Sequence, residues 1–540
     1  MKNKFKILGD TAVKAGDLIL TEEPFAFVLS SKEKGNRCDN CLKQCKVLKC
    51  SVCQFVHYCG KNCQRDAWND HKWECANLKR VYPKVVPDAA RMLAKIINRI
   101  QRSNGATTKA FYNATSFRMW KDLMSHYTDL KTDKKRMDHF SSLCVVLFEF
   151  LKDISMPNTV ELMGLYGRMV INSFTILDID MNSIGTGIYL ASSIIDHSCN
   201  PNAVATFNGK TINVRVIKDM PCLDWKQIRI SYVDMMKTPI ERQTELQQNY
   251  YFLCTCDRCM DEEHLKYVHA AKCLNAKCSN PVNVSWKENL VLVKKPEKRM
   301  EKTEENGKLE DKATTKTGEN KNEKNNENTS VKKTERANEI AIKNADKLET
   351  RNETAIENGV SEENITNGIE ETNINGDNSI CCEECGTKYN EEKVEVFIKT
   401  MEFSELHLHN MKETSVAYVD ICKYCLERQE GVLHPLNVMY AQTLDNAFDA
   451  LIQVQLWETA CGYAEKLIPC FRFYYGDVHP LMGLLHLKYG KILLYKMCLQ
   501  EALNNFKQAE KILKITHGER HPLYREHLLP LMSQTILESE

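Results

Sequence analysis

The sequence predicts an α+β protein organised around bound metal. A β-rich half carries an inserted cysteine module and a helical insert, and an all-α C-terminal domain follows. Three observations predict this. Eight candidate metal ligands, seven cysteines and His71, fall within Cys38–Cys75 as four closely spaced pairs. Apolar residues alternate with period two at Leu18-Ile-Leu20, Phe25-Ala-Phe-Val28 and Thr211-Ile-Asn-Val-Arg-Val-Ile217, as in half-buried strands. A Gly-x-x-His-Pro turn recurs at Gly431, Gly476 and Gly518, 45 and 42 residues apart, with amphipathic helical stretches between the copies.

The strand half begins with residues 1–37, where a turn at Gly16 precedes the first alternation. Amphipathic helices are expected in residues 76–170, for example at Asp88–Ile100 and Asp138–Leu151. Strands return from Asn172 to Tyr232, where Ile212, Val214 and Val216 share one face. From 294 to 379 the composition falls to Lys, Glu, Asn and Thr. Such a stretch buries too little apolar surface to offset chain entropy, so disorder is expected there. In residues 401–540 helices are expected at Leu481–Met497 and Gln500–Ile515. Helix pairs closed by Gly and restarted at Pro suggest a tetratricopeptide-like solenoid, with an ordinary helical bundle as the alternative.

Composition narrows the function. The 540 residues suffice for three or four domains. With 73 Lys+Arg against 72 Asp+Glu there is no overall field to hold nucleic acid, and direct nucleic-acid binding is not expected. The first residues carry no apolar core of signal-peptide length, and the longest apolar run, Leu143–Phe148, is far short of a membrane span. A soluble protein of cytoplasm, nucleus or both is expected, with no membrane partner and as a monomer. In that reducing setting the 24 cysteines point to metal rather than disulfides.

Zinc takes four N/S ligands in a tetrahedron, and a short Cys-x2-Cys turn supplies two of them. The first cluster offers Cys38, Cys41, Cys50, Cys53, Cys59, Cys63, His71 and Cys75, enough for two closed sites. A cross-brace would join Cys38, Cys41, Cys59 and Cys63, and separately Cys50, Cys53, His71 and Cys75; Cys45 is surplus. Cys254, Cys256 and Cys259 supply three ligands and need a fourth from elsewhere. Cys273, Cys278, Cys382 and Cys385 could close a further ribbon-like site over residues 261–293 and 380–400, with Cys381 competing with Cys382. Cys422 and Cys425 lie in a helical pattern and read as structural.

The 38–75 cluster, with Tyr58 before Cys59 and with Trp68, resembles the MYND finger, a protein-interaction module. Three further segments are Asn172-Ser-Phe-Thr-Ile176, Ile195-Asp-His-Ser-Cys-Asn-Pro-Asn202 and Ile230-Ser-Tyr-Val-Asp234. With Cys254–Cys259 they resemble the SET methyltransferase core (171–235) and its post-SET zinc motif (236–260). The order of parts resembles the SET- and MYND-domain protein lysine methyltransferases. The resemblance implies S-adenosylmethionine and zinc as cofactors, protein substrates with a target lysine, and peptide partners for the finger and the C-terminal helices. It implies that Cys199 completes the Cys254 site. His126, Asn172, Ser193, Asp196, His197, Tyr232 and Phe252 are expected around the cofactor, His197 through its backbone. Tyr232, Tyr250 and Phe174 are expected to line a lysine channel.

The sequence departs from the family at Lys4 and Lys6, where a glycine pair is expected, and at Asp196, where the family has Asn. The chain starts only three residues before Lys4, which leaves the completeness of this N-terminus open. Two functions follow: a protein-lysine N-methyltransferase, or a catalytically weak scaffold that binds partners through the finger and the helical repeats.

Overall fold

The structure, a computed structural model, describes residues 12–102, 105–152, 155–285, 380–413 and 419–539. Lys4, Lys6 and the stretch 294–379 expected to be disordered lie outside the described residues.

Strands β1 (Leu18–Glu22) and β2 (Ala26–Leu29) come from one alternating stretch but enter different sheets. Pro24 lies between them and has no N–H with which to carry one ladder through. The cysteine module follows as β3 (Leu48–Lys49), β4 (His57–Tyr58) and helix α1 (Lys61–Val81). Helix α2 (Asp88–Arg102) buries Ala90, Leu93, Ala94 and Ile97, spaced i, i+3, i+4, i+7, on one face. The helical insert is interrupted by a short pair, β5 (Ala110–Phe111) with β6 (Phe117–Arg118), where the Phe111 and Phe117 rings meet at 5.4 Å.

After α3 (Tyr127–Thr132), helix α4 (Lys134–Phe150) starts one turn earlier than the pattern predicts. The cause is Asp133, whose carboxylate accepts the Arg136 N–H at 3.0 Å and caps the helix. Helix α5 (Thr159–Asn172) is capped in the same way by Asn158 and runs straight into β7 (Ser173–Leu177).

Two antiparallel three-stranded sheets frame the N-terminal half. One has the order β2, β8 (Ser183–Ile188), β7. After the two-residue β9 (Asp196–His197) come β10 (Ala203–Asn208) and β11 (Thr211–Val216), which form the other sheet in the order β1, β11, β10. Ile212, Val214 and Val216 are fully buried on one face of β11. Strand β12 (Arg229–Ile230) pairs in parallel with β9, Ile230 opposite His197. That pairing brings the loop carrying Cys199 beside the chain that leads to Tyr232.

Helix α6 (Pro239–Tyr250) opens with a capping box between Thr238 and Glu241 and a proline in its first turn. Then come α7 (Glu262–Val268) and the antiparallel pair β13 (Ala271–Lys272) and β14 (Pro281–Val282). The rest is helical: α8 (Glu391–Glu413), α9 (Val419–Gln429), α10 (Val438–Gln453), α11 (Trp457–Tyr475), α12 (Pro480–Tyr495), α13 (Leu499–Thr516), a π-helical turn at Leu523–Leu528 and α14 (Leu529–Ser539). Helix α8 begins inside the 380–400 stretch read as ribbon. At Gly490 an added Cβ would come within 2.6 Å of the Phe506 ring, so glycine allows α12 and α13 to close on each other. No helix among the described residues is long and apolar enough to cross a membrane.

The recurring turn has a physical reason. Gly431, Gly476 and Gly518 have φ of +82°, +80° and +80°, a left-handed conformation that favours glycine. The histidine of each copy accepts the backbone N–H two residues ahead on Nδ1. The distances are 3.1 Å from Leu436 to His434, 3.2 Å from Leu481 to His479 and 3.2 Å from Leu523 to His521. At His479 the imidazole is the N-cap of α12, whereas α10 is capped by Asn437 and His434 orders the turn before it; with Nδ1 accepting, the proton resides on Nε2. His434 donates from Nε2 to the Ser279 carbonyl at 3.0 Å, and His521 to the Phe207 carbonyl at 2.8 Å. In these two copies one side chain orders the turn ahead of a helix and also ties it to an earlier part of the chain.

Burial lowers the pKa of all three histidines, that of His479 to about 4. Their folded values lie below the ordinary value of about 6.5. Their contribution is therefore complete above about pH 6.5 and is lost as pH falls through the folded values. His521→Ala removes a cap and a buried hydrogen bond and is expected to cost about 2–3 kcal/mol at pH 7.5 by urea denaturation. His479→Asn keeps a capping side chain, so its stability should fall less than that of the parent chain between pH 7.5 and pH 5.

Candidate active site and zinc centres

Four groups of ligand atoms gather in the structure, each with all its atoms within 4.8 Å of one another. They are Cys38, Cys41, Cys59 and Cys63; Cys50, Cys53, His71 and Cys75; Cys199, Cys254, Cys256 and Cys259; and Cys273, Cys278, Cys382 and Cys385. A tetrahedral zinc with Zn–S near 2.3 Å separates its sulfurs by about 3.8 Å. The observed Sγ pairs include Cys41–Cys59 at 3.9 Å, Cys50–Cys75 at 3.7 Å, Cys199–Cys254 at 4.0 Å and Cys278–Cys382 at 3.7 Å. A disulfide would need about 2.05 Å, and all 24 cysteines are free thiols. The donor sets therefore fit zinc. Cys45, Cys381, Cys422 and Cys425 belong to none of these groups.

Local structure explains the first two groups. Cys38-x2-Cys41 and Cys50-x2-Cys53 are turns in which the next residue donates its N–H back to the first cysteine carbonyl, Leu42 at 2.9 Å and Gln54 at 3.0 Å. Leu42 and Gln54 have φ of +61° and +56°. Helix α1 places His71 and Cys75 four residues apart on one face. Behind His71, Glu74 sits 3.6 Å from Nδ1 and is held by Arg91 at 2.8 Å. Burial opposes a charge on Glu74, yet Arg91 and Lys95 hold its pKa well below the usual carboxylate range.

The third group joins two distant segments. Cys199 follows β9, while Cys254, Cys256 and Cys259 follow α6, and Cys199, Cys254 and Cys259 are buried. Arg242 of α6 is fully buried with a guanidinium nitrogen 3.7 Å from the Cys259 sulfur. A Zn(Cys)4 site carries net negative charge, so Arg242 is its counter-charge. Sequence reading missed it; an arginine on the inward face of a helix between cysteine motifs was the available signal. His197 lies with Nε2 3.2 Å from the Cys199 sulfur, while its Nδ1 accepts the Tyr232 N–H at 3.0 Å. The imidazole therefore spans the metal group and the segment of Tyr232.

Above this group lies a cavity of about 230 Å³ whose walls include Asn172, Phe174, Ser193, Phe207, Tyr232 and Tyr250. The Tyr232 and Tyr250 rings are 5.0 Å apart, and the Tyr232 hydroxyl donates to the Ile195 carbonyl. Burial raises the pKa of both phenols, so both stay protonated. Asn172 donates from its amide to the Met124 and Arg168 carbonyls at 2.8 and 2.9 Å. Among the described residues its carbonyl oxygen takes no hydrogen bond.

His126, Asp196, His197 and Phe252 lie outside the cavity walls. His126 packs on Tyr251 at 5.5 Å and meets Asp129 at 2.9 Å. Phe252 lies 6.0 Å from the His197 ring. The Asp196 side chain is 76% exposed and 4.0 Å from Arg229. A second residue that sequence reading missed is Glu22. Its carboxylate accepts the N–H groups of Ala191 at 2.9 Å and Ser192 at 2.8 Å, fixing the loop that presents Ser193. A wider cavity of about 600 Å³, bordered by Arg37, Asp178, Lys210 and His521, shares Leu177 and Phe207 with the smaller one.

Comparison with known proteins adds the context. The MYND finger family model matches residues 38–75. The chain is similar to histone-lysine N-methyltransferase SMYD3 of Mus musculus, 24% identical over 96% of this chain and 92% of that protein. It is similar to histone-lysine N-methyltransferase ASHR1 of Arabidopsis thaliana, 23% identical over 95% and 89%. It is also similar to N-lysine methyltransferase SMYD2-B of Danio rerio, 28% identical over 46% and 56%.

Replacing Arg242 by Met should weaken metal retention at the Cys199 group about ten-fold or more, by leaving its net charge uncompensated. Competition with a chromophoric chelator measures this, and release from the finger groups should be unchanged.

Proposed function

Because the chain belongs to the SET- and MYND-domain protein family, we propose that it is an S-adenosylmethionine-dependent protein-lysine N-methyltransferase. The observation that supports this reading most is the cavity that gathers Phe174, Tyr232 and Tyr250 beside Asn172 and Ser193. Such a site is an aromatic slot with polar side chains beside it, suited to a long side chain with an apolar stem and a polar head. Asn172 would hold the cofactor through its unengaged carbonyl oxygen, and Ser193 and the His197 segment would flank it. When bound, S-adenosylmethionine supplies an electrophilic methyl group on a sulfonium.

The chain's own residues would do the rest. A lysine ammonium has a pKa near 10.4, and an aromatic slot disfavours its charge by desolvation. The ammonium proton passes to solvent as the side chain enters. The Tyr232 phenol, anchored on the Ile195 carbonyl, cannot compete as a nucleophile because it stays protonated. Its oxygen can accept a hydrogen bond from the entering amine and point the nitrogen lone pair along the slot. Alignment of this kind is a large part of the barrier reduction in such transfers. Phe174 and Tyr250 exclude water. The wider cavity, which shares Leu177 and Phe207 with the smaller one, would receive the residues that flank the target lysine.

The zinc groups would hold this arrangement in place, with the Cys199 group beneath it and the finger (38–75) free to take peptide partners. Such an enzyme would work in cytoplasm, nucleus or both. A second reading, a weakly catalytic scaffold, rests on Asp196, whose side chain points to solvent outside the cavity.

Calorimetric titration with S-adenosylmethionine should show stoichiometric binding by the zinc-loaded chain; absence of binding would favour the scaffold. Tyr232→Phe should lower the turnover rate about ten-fold or more with KM for the cofactor little changed. Zinc content and thermal midpoint should be unaltered in that variant.

A further inference from the structure

We propose that Cys273, Cys278, Cys382 and Cys385 bind a zinc ion of their own, and that this ion clamps two segments far apart in sequence onto the first turn of the C-terminal repeat. The inference is independent of the catalytic reading.

The geometry carries it in three steps. First, the four sulfurs form a closed set, with Cys273 and Cys385 at 3.5 Å and Cys278 and Cys382 at 3.7 Å, near the tetrahedral edge and far from disulfide contact. Second, Cys382-x2-Cys385 repeats the backbone of the two finger turns. Gly386 donates its N–H to the Cys382 carbonyl at 3.0 Å and has φ of +68°, the counterpart of Leu42 and Gln54. This turn directs both sulfurs to one point, and it selects Cys382 over Cys381, which is exposed and outside the group. Third, the segments that carry the thiols have little regular structure of their own. β13 and β14 have two residues each, and a short two-stranded pair is marginal without a further tie.

The clamp reaches the helices through a continuous set of bonds. Ala271 bridges Leu433, the Lys272 N–H donates to the Val432 carbonyl at 2.9 Å, and the His434 N–H donates to the Ala270 carbonyl at 3.0 Å. The Asn437 amide also donates to Ala270, at 3.0 Å, and the Tyr389 hydroxyl to the Lys272 carbonyl. His434, in the turn before α10, donates to Ser279 one residue after Cys278. Metal binding would therefore hold the register of the first repeat turn. Cys385 is exposed and Cys278 half-buried, whereas the Cys199 group is largely buried, so this ion should be the more easily extracted of the two.

Native mass spectrometry of the full chain, purified in reductant with zinc, should show four zinc ions per chain. The double variant Cys382→Ser, Cys385→Ser should show three. A parent chain with three ions and freely alkylated Cys273, Cys278, Cys382 and Cys385 would overturn the site, as would a variant that keeps four. Should the variant fail to fold, alkylation mapping of the parent during chelator titration decides: these four thiols should become reactive before Cys199, Cys254, Cys256 and Cys259. Hydrogen exchange tests the clamp. Loss of the ion should speed exchange in 270–284 and 432–440 and leave 38–75 unchanged; loss of the ion with no change in 432–440 would overturn the clamp.

Discussion

The Cys199 group is the constraint on which the cavity depends. It brings a loop that follows β9 to a segment that follows α6, across 55 residues of sequence. Tyr232 lies between those ligands in the chain, and Tyr250 and Phe252 lie just before Cys254. Neither tyrosine could keep its place against the other if the two segments were free to separate. His197 strengthens the link, with one ring nitrogen at the Cys199 sulfur and the other on the Tyr232 backbone. Arg242 makes the burial of so much thiolate tolerable, because a buried charge without a partner would cost several kcal/mol.

A similar economy explains how the N-terminal half accepts large insertions. Ala26 of β2 pairs with Ile188 of β8, although the cysteine module and four helices intervene. Each inserted piece carries its own support. The module has two ligand groups, and the helices have a core around Leu93, Leu147 and Tyr166. The sheet then closes around rigid bodies rather than around a long loose loop, and the closure entropy is correspondingly small.

The C-terminal helices are bound to the rest by backbone carbonyls as well as by apolar contact. His521 reaches Phe207, the Thr206 hydroxyl reaches the Thr516 carbonyl at 3.4 Å, and Arg215 reaches the His517 carbonyl at 3.0 Å. Phe207 borders both cavities, so the last repeat turn bears directly on the wall of the candidate site.

Much of this was legible in the sequence wherever the signal is local. A Cys-x2-Cys turn fits within one bend of backbone, the alternation in β11 is set by a pleat of period two, and a Gly-x-x-His-Pro turn marks itself wherever it recurs. Helix starts were less legible: α4 begins at Lys134 because Asp133 happens to turn its carboxylate onto the Arg136 N–H. The sequence by itself determined the ligand types, the strand faces, the helical C-terminal region and the aromatic residues available to a slot. Only the tertiary structure decided that Cys382 rather than Cys381 joins Cys273, that Arg242 faces thiolates, that the His197 ring meets the Cys199 sulfur and the Tyr232 backbone, and that Asp196 turns to solvent. The reason is range: each of these depends on atoms brought within about 4 Å from segments tens to hundreds of residues apart. That proximity is set by packing as a whole and leaves no local mark in the chain.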